Sequence, residues 1–458
     1  MKIIILGAGQ VGSSLAAALV GENNDISVVD TDGTRLAALA ERLDIRTVHG
    51  HASLPSTLGQ AGAEDAELVI AVTSSDEVNL VACQVADIVY KTPSKIARLR
   101  EAEYLQHPEL TGKARAAVDV AISPEDLVCR HVQWLVEYPG ALQVLDFADG
   151  RAQLVGVRAE TGGALVGHEI RELRAHLPAG VDTRVAAIFR HGRALLPTAS
   201  TRVEPGDEVF FLAESRHVRT VMAELRRAEQ PARRVFIAGG GNIGHRLAKA
   251  LQGRFSVKVL ERSRERARRI AEDLDAIVLV GDCSDEDLLR EENIDSTDIY
   301  CALTNDDEAN ILSAMLAKRM GCQRVVALIN RPAYAELVEG DSSIDIAVSP
   351  QQVTLGALLT SIRQGSMVKV HSLRRGMAEA IEAVALGDRR TSGVIGRSLE
   401  ELQLPDGATI GGLVRGDALL IAHHDVVIEA NDHIIVFLAD KRQLKRVQSL
   451  FRTDATWF

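Results

Sequence analysis

Aromatic residues make up only 3% of this 458-residue chain. Its cores must therefore be filled by Ala, Val, Leu and Ile, which suits buried parallel strands covered by helices. Cysteine is scarce as well. Cys83, Cys129, Cys283, Cys301 and Cys322 are odd in number, and none stands in a C-x-x-C pair. That excludes a disulfide framework or a thiolate zinc site and makes a reducing cytoplasm the natural compartment. Positive charge is in deficit: the formal net charge is -11, which argues against a general nucleic-acid binder. No apolar run approaches the ~20 residues of a membrane span. The opening MKIIILGAGQVGSSLAAALV has the Lys2, apolar stretch and small residues of a signal peptide. Gly7, Gly9 and Gly12 break that stretch, however, and a similar segment recurs in mid-chain, where no signal peptide acts.

What the chain does have is one unit written twice. The series Gly7-Ala8-Gly9-Gln10-Val11-Gly12 returns as Gly239-Gly240-Gly241-Asn242-Ile243-Gly244. SVVD, ending at Asp30, matches VKVLE, ending at Glu261. AVTSSDEVNLVACQVA matches ALTNDDEANILSAMLA, and Ile122-Ser123-Pro124 matches Val348-Ser349-Pro350. The segments that follow, from Gly162 and from Ser392, also correspond. The order is A-B-A′-B′, and several domains are expected because single cores stop growing beyond ~250–300 residues. The spans are 1–123 and 232–350 for A, and 140–226 and 368–453 for B. The polar stretch from Arg226 to Arg234 reads as the linker between the halves.

A alternates short apolar runs, at 3–6, 26–29, 45–48, 68–72, 95–99 and 118–122, with amphipathic stretches at 10–20, 33–42 and 76–90. That is an α/β pattern: a Rossmann-like, doubly wound parallel sheet with helices on both faces. B has short strands at 143–147, 153–158, 184–189 and 208–212 and few helices, which reads as a small α+β module.

In both copies G-x-G-x-x-G follows a strand and opens a helix. The first glycine permits the tight turn, the second lets backbone approach a pyrophosphate, and the third lets helix and strand pack closely. Asp30 and Glu261 end the next strand, where a carboxylate accepts hydrogen bonds from ribose hydroxyls. With no arginine adjoining Asp30, NAD is expected over NADP at the first site. Arg262 and Arg264 beside Glu261 leave the second open to NAD or to a mononucleotide such as ATP or ADP. Thr73-Ser74 and Thr304-Asn305 end the fourth strands and can touch ribose or phosphate. Equally, they can cap the helices that begin at Asp76-Glu77 and Asp307-Glu308. Arg98, ending the fifth strand, can pair with phosphate. The second copy has Leu328-Ile329-Asn330 there, so its arginine is missing or displaced to Arg331. His423-His424 reads as a turn rather than a metal pair, and His49 and His51 as loop residues. Arg264, Arg266, Arg268 and Arg269 read as a solvated helix face. No metal ligand set and no catalytic residue is assigned.

These residues resemble the RCK family, the regulators of potassium conductance. Its further carriers are TNDDEAN at 304–310, SAMLAKRMG at 313–321 and SLRRGMAEAIEAVA at 372–385, and the resemblance covers essentially the whole chain. It implies nucleotide-binding RCK N-domains (A) and RCK C-domains (B), and a homo-oligomeric, tetrameric ring. The ring would lie on the cytoplasmic face of the inner membrane, beneath a K⁺ channel subunit of the TrkH or TrkG type. NAD(H), ATP or ADP in the A clefts would control that channel. By residue match, Gly7, Ala8, Gly9, Gln10, Val11, Gly12, Asp30, Thr73, Ser74 and Arg98 serve the first site. Gly239, Gly240, Gly241, Asn242, Ile243, Gly244, Glu261, Thr304 and Asn305 serve the second. One departure is Gly50-His51, where many members have Gly-Asp; the second copy keeps Gly281-Asp282. The alternative is an NAD-dependent oxidoreductase, disfavoured because no positioned His or Lys recurs in both B modules.

Overall fold

The computed structural model describes the chain except residues 21–23, 108, 112–116, 227–231, 339–342, 363–367, 374–376, 423–424, 441–442 and 452–458. The His423-His424 turn and most of the expected linker lie outside the described residues. Arg226, read as the linker's first residue, is instead buried at 8% exposure. Its guanidinium donates to the Gly140 carbonyl at 2.9 Å and pairs with Glu160 at 2.8 Å.

The first A segment runs β1 (Lys2–Leu6), α1 (Gln10–Val20), β2 (Asp25–Asp30), α2 (Gly33–Ala40), β3 (Arg46–His49), α3 (Pro55–Gln60), β4 (Leu68–Ala71), α4 (Asp76–Ile88), β5 (Ser94–Arg98), α5 (Ala102–Leu105), β6 (Val120–Ile122) and α6 (Pro124–Glu137). The first B segment adds β7 (Ala141–Phe147), β8 (Ala152–Arg158), α7 (Leu173–His176), β9 (Thr183–Arg190), β10 (Arg193–Leu195), β11 (Glu208–Glu214) and α8 (Val218–Leu225).

The second A segment repeats the series as β12 (Arg234–Ala238), α9 (Asn242–Leu251), β13 (Ser256–Glu261), α10 (Arg264–Asp273), β14 (Ile277–Val280), α11 (Glu286–Glu291), β15 (Ile299–Ala302), α12 (Asp307–Arg319), β16 (Arg324–Leu328), α13 (Pro332–Val338), β17 (Ile346–Val348) and α14 (Pro350–Ile362). The last segment holds β18 (Val368–Leu373), β19 (Ala378–Val384), β20 (Ala408–Arg415), β21 (Ala418–Ile421), β22 (His433–Leu438) and α15 (Leu444–Leu450).

Both A sheets are six-stranded with the same order, β3-β2-β1-β4-β5-β6 and β14-β13-β12-β15-β16-β17. The registers coincide too: Ile3 faces Ile26 and Leu68, as Val235 faces Val257 and Ile299. The parallel strands are near-continuous apolar runs because both faces are covered. Ile3, Ile4, Ile5, Leu6, Val69, Ile70 and Ala71 are all buried. This is the Rossmann-like doubly wound sheet that the pattern of runs indicates. The B sheets are antiparallel and five-stranded, β10-β9-β11-β8-β7 and β18-β19-β22-β20-β21. Both carry a register shift at the same place, between Phe210 and Phe211 and between Ile410 and Gly412. The edge strand β10 was not visible in the sequence. It is three residues long, Arg-Ala-Leu, and wholly exposed, too short for an alternating pattern to mark it.

By contacts, the chain forms two compact units that pair like with like. One holds Met1–Val132 with Arg233–Ser361, the other Gln133–Ala232 with Ile362–Phe458. In the second unit the two B sheets share a core. Phe147, Phe189, Phe210 and Leu212 pack with Leu373, Val414, Ile435 and Phe437.

Each B module is also locked by the same charged clamp. Asp207 is 1% exposed and accepts two bonds from Arg190, at 2.8 and 2.8 Å, and one from the Glu204 backbone N–H at 2.8 Å. Asp432 does the same with Arg415, at 2.9 and 2.8 Å, and with the Glu429 N–H at 2.8 Å. Breaking a buried pair from one side costs about 3–5 kcal/mol; the partly exposed arginines reduce this to about 2–3 kcal/mol. Asp207→Ala and Asp432→Ala should each lower the denaturation midpoint accordingly. A midpoint within experimental error of wild type would show that the clamp is dispensable.

Candidate functional site

The glycine loops are built by two different constraints. Gly7 and Gly239 have φ of +109° and +104°, a left-handed conformation that favours glycine. Gly12 and Gly244 are required by packing: a Cβ there would lie 1.8 and 1.9 Å from the Gly7 and Gly239 carbonyl oxygens. Gly9 and Gly241 answer to neither constraint. A Cβ on either would meet nothing within 4 Å. Their bareness therefore serves something outside the chain's own packing, as a pyrophosphate pressed against backbone would require.

The helix starts agree. The helices α2, α4, α10, α11 and α12 are each capped by a side chain, from Asp32, Ser75, Ser263, Asp285 and Asp306 respectively. The helix α9 begins at Gly241 with no side-chain cap, and neither α1 nor α9 has an acid in its first turn. Their N-terminal N–H groups and positive dipole ends are left for an anion.

The two acids lie where the motif places them, against their own glycine loop. Asp30 accepts the Ala8 N–H at 2.6 Å and the Asp32 N–H at 2.8 Å, one on each oxygen. Glu261 accepts the Gly240 N–H at 3.0 Å and the Ser263 N–H at 2.8 Å. It also faces Arg266, at 3.3 and 3.4 Å. Ala8 has a side chain where Gly240 has none. A Cβ on Gly240 would collide with Ile270 at 2.3 Å and crowd Glu261 at 3.2 Å.

At the ends of the fourth strands, Thr73 and Thr304 are held by a side chain that the sequence pattern does not single out. Asn79 is fully buried; its Oδ1 accepts the Thr73 N–H at 3.0 Å and hydroxyl at 2.7 Å. Its amide donates to the Arg98 carbonyl at 2.8 Å. Asn310 repeats this with Thr304, at 2.9 and 2.7 Å, and with the Leu328 carbonyl at 2.9 Å. The signal was a Thr and an Asn six apart in both copies. Capping falls to the next residue along, Ser75 and Asp306, leaving Ser74 and Asn305 exposed at the loop tips. Asp76 and Asp307 do not cap. They accept the Arg100 and Glu101 N–H groups, and those of Asn330 and Arg331, which fixes the loop after the fifth strand.

Arg98 is 9% exposed. It donates to the Thr73 carbonyl at 2.6 Å, and its Nε has no partner among the described residues. Burial lowers its pKa from the usual arginine value. In the second copy Arg331 does not replace it, because it is exposed and bound to Glu308 at 2.9 Å and the Tyr334 hydroxyl at 2.9 Å. His51 pairs with Ser53 at 2.8 Å, and Asp282 accepts from Ser284.

Within the first unit, each glycine-loop helix is tied to the other copy. Arg246 on α9 reaches Asp126 at 2.5 Å, Ser123 at 3.3 Å and the Arg100 carbonyl at 3.2 Å. Gln351 on α14 donates to Ser14 on α1 at 2.7 Å and to the Gln10 carbonyl at 3.3 Å.

Residues 3–124 and 235–350 match the TrkA-N domain, and residues 154–226 and 389–452 match the TrkA-C domain. The chain is 55% identical over 459 residues to the Trk system potassium uptake protein TrkA of Halomonas elongata, covering 100% of both. It is 54% identical over 454 residues to that of Vibrio alginolyticus, covering 99% of each. Among solved structures it shares the fold of the GsuK RCK domain, with a TM-score of 0.62, 18% identity and coverage of 98% of this chain and 94% of that one. The GsuK channel bound to NAD gives a TM-score of 0.62 and 17% identity, covering 98% of this chain and 78% of that one.

The fold and the family matches together define a protein of tandem Rossmann-like TrkA-N domains, each followed by a TrkA-C domain. The chain belongs to the family of Trk system potassium uptake protein TrkA. It is a regulatory subunit of potassium uptake and not an enzyme, so the oxidoreductase alternative falls.

Proposed function

We propose that the chain senses adenine nucleotides, NAD(H) and ATP or ADP, in both Rossmann clefts and thereby controls K⁺ flux through a membrane channel subunit of the TrkH or TrkG type. The carrying observation is the pair Gly9 and Gly241, bare glycines facing open space at helix starts that carry no acid. In this reading the modules are 1–123, 140–226, 232–350 and 368–453. The glycine loops Gly7–Gly12 and Gly239–Gly244 cradle phosphate, and Asp30 and Glu261 hold ribose. Ser74, Asn305 and Arg98 contact the ligand, while Thr73 and Thr304 shape the strand ends through their asparagines. The chain works as a homo-oligomeric ring, tetrameric by resemblance, on the cytoplasmic face of the inner membrane. A NAD-bound channel of the same fold supports the cofactor. The Arg246 and Gln351 ties supply a route by which occupancy of one cleft biases the other domain, as a ligand does when it binds two states unequally.

Calorimetric titration with NAD⁺, NADH, ATP and ADP tests this reading. Up to two nucleotides should bind per chain without being consumed. Asp30→Ala should weaken the first site and Glu261→Ala the second, each by about tenfold to a hundredfold, the worth of one charge-assisted hydrogen bond. Unchanged affinity and stoichiometry in both variants would sink the site assignment. Sedimentation that shows only monomers, with and without nucleotide, would remove the ring.

A further inference from the structure

The helices α2 and α10 carry an arginine at the same place, Arg35 and Arg266, three residues after the capping residue. The two arginines turn to different carboxylates. In the first copy the cap is Asp32. One of its oxygens accepts the Thr34 and Arg35 N–H groups, at 3.0 and 3.2 Å, and the other holds the Arg35 guanidinium at 3.1 Å. In the second copy the cap is Ser263, whose hydroxyl accepts the Arg266 N–H at 3.3 Å but offers no charge. Arg266 therefore swings to Glu261.

This changes what each acid has left to offer. A carboxylate has about four acceptor positions. Asp30 uses two, on backbone N–H groups, and keeps two for a vicinal diol. Glu261 uses two on backbone and is bridged across both oxygens by Arg266. The surroundings differ in sign as well. Residues 30–35, DTDGTR, carry a net charge of -1, whereas 261–266, ERSRER, carry +1. A phosphate on the ribose 2′-oxygen would meet Asp30, Asp32 and an Arg35 already held by Asp32 in the first cleft, and the single carboxylate of Glu261 beside the half-exposed Arg266 in the second. An arginine beside the ribose acid is the arrangement that accommodates a 2′-phosphate.

We propose that the capping residue, Asp32 in one copy and Ser263 in the other, sets different ribose selectivities in the two clefts. The first takes adenine nucleotides with a free 2′,3′-diol. The second accepts 2′-phosphorylated dinucleotides, which Arg266 binds after leaving Glu261. This rests on the nucleotide-sensing reading above and adds the selectivity of each cleft. Arg266 is half exposed and meets the buried Glu261 only at 3.3 and 3.4 Å, and Glu261 keeps its two backbone bonds when the arginine leaves, so the contact can yield to a phosphate.

The test is titration of the full-length chain with NADH and with NADPH. Wild type should bind NADPH at one site per chain. Asp32→Ser should add a second NADPH site, because Arg35 is released toward Asp30. Ser263→Asp, which draws Arg266 away, and Arg266→Gln should each weaken NADPH binding by about tenfold. In both, NADH binding at the first cleft serves as the internal control for folding. NADPH bound equally at both clefts, or at neither, would overturn the proposal. So would an NADPH-to-NADH ratio that the cap exchanges leave unchanged. Loss of NADH binding in the wild type would instead defeat the nucleotide-sensing reading itself.

Discussion

Gly9→Asp and Gly241→Asp should each abolish nucleotide binding at their own cleft while leaving the chain at least as stable as the wild type. A side chain at either position enters open space. Aspartate is also among the best capping residues, and α9 starts at Gly241 without a side-chain cap. The expected change in stability is therefore zero to about 1 kcal/mol in favour of the variant. The same carboxylate stands where a phosphate would approach the helix start, so like charge excludes the ligand. The control lies three residues further on. In Gly12→Ala or Gly244→Ala the new methyl would lie 1.8 or 1.9 Å from a carbonyl oxygen of the preceding turn. The backbone must shift, at a cost of about 3 kcal/mol or more. Thermal melts with and without NADH separate the two cases. Should Gly9→Asp bind NADH with wild-type affinity, the open space at that glycine has no part in recognition.

The spacing of these glycines is legible in the amino-acid order; the charged partners around them are not. The positions of Gly7, Gly9 and Gly12, the acid at Asp30 and the alternation of apolar runs rest on local periodicity. The six parallel strands of each A segment follow from it, within one or two residues at most ends. What local pattern cannot carry is a partner chosen across the fold. Asn79 and Asn310 resemble any polar helix residue until the strand end they staple is brought beside them. Arg35 and Arg266 stand at matching positions, yet which carboxylate each takes depends on a capping residue three positions earlier. The pairing of A with A′ includes the bonds of Arg246 and Gln351, whose partners lie more than 100 residues away. Duplication supplied the fold twice at once, but it concealed that the two copies place their charged groups differently.

That difference sets the expectation for Arg98→Leu: stability unchanged or raised without nucleotide, and affinity for ATP or ADP lowered about tenfold or more at the first cleft. The chain itself contains the control for the substitution. Arg98 pairs in β5 where Leu328 pairs in β16, and Leu328 is buried in an otherwise similar sheet. Leucine is thus already accommodated at this register. Among the described residues, the Arg98 side chain offers the fold one bond, to the Thr73 carbonyl, against burial of a cation whose Nε has no partner there. The acids that act on it, Glu125 and Asp76, do not offset the burial, which leaves its pKa lowered. Burial raises the pKa of Glu125, with Arg100, Arg246 and Arg98 acting the other way. A buried, incompletely paired charge costs several kcal/mol, and replacing it by a packed apolar group is often neutral or stabilising. Such a cation persists where an anion completes it, and the phosphates of a nucleotide in this cleft would do so. Melting curves should therefore show wild type stabilised by ATP and Arg98→Leu stabilised less, from an equal or higher starting point. A variant that melts early yet keeps its ATP response would make Arg98 a strut of the β4–β5 edge rather than a phosphate ligand.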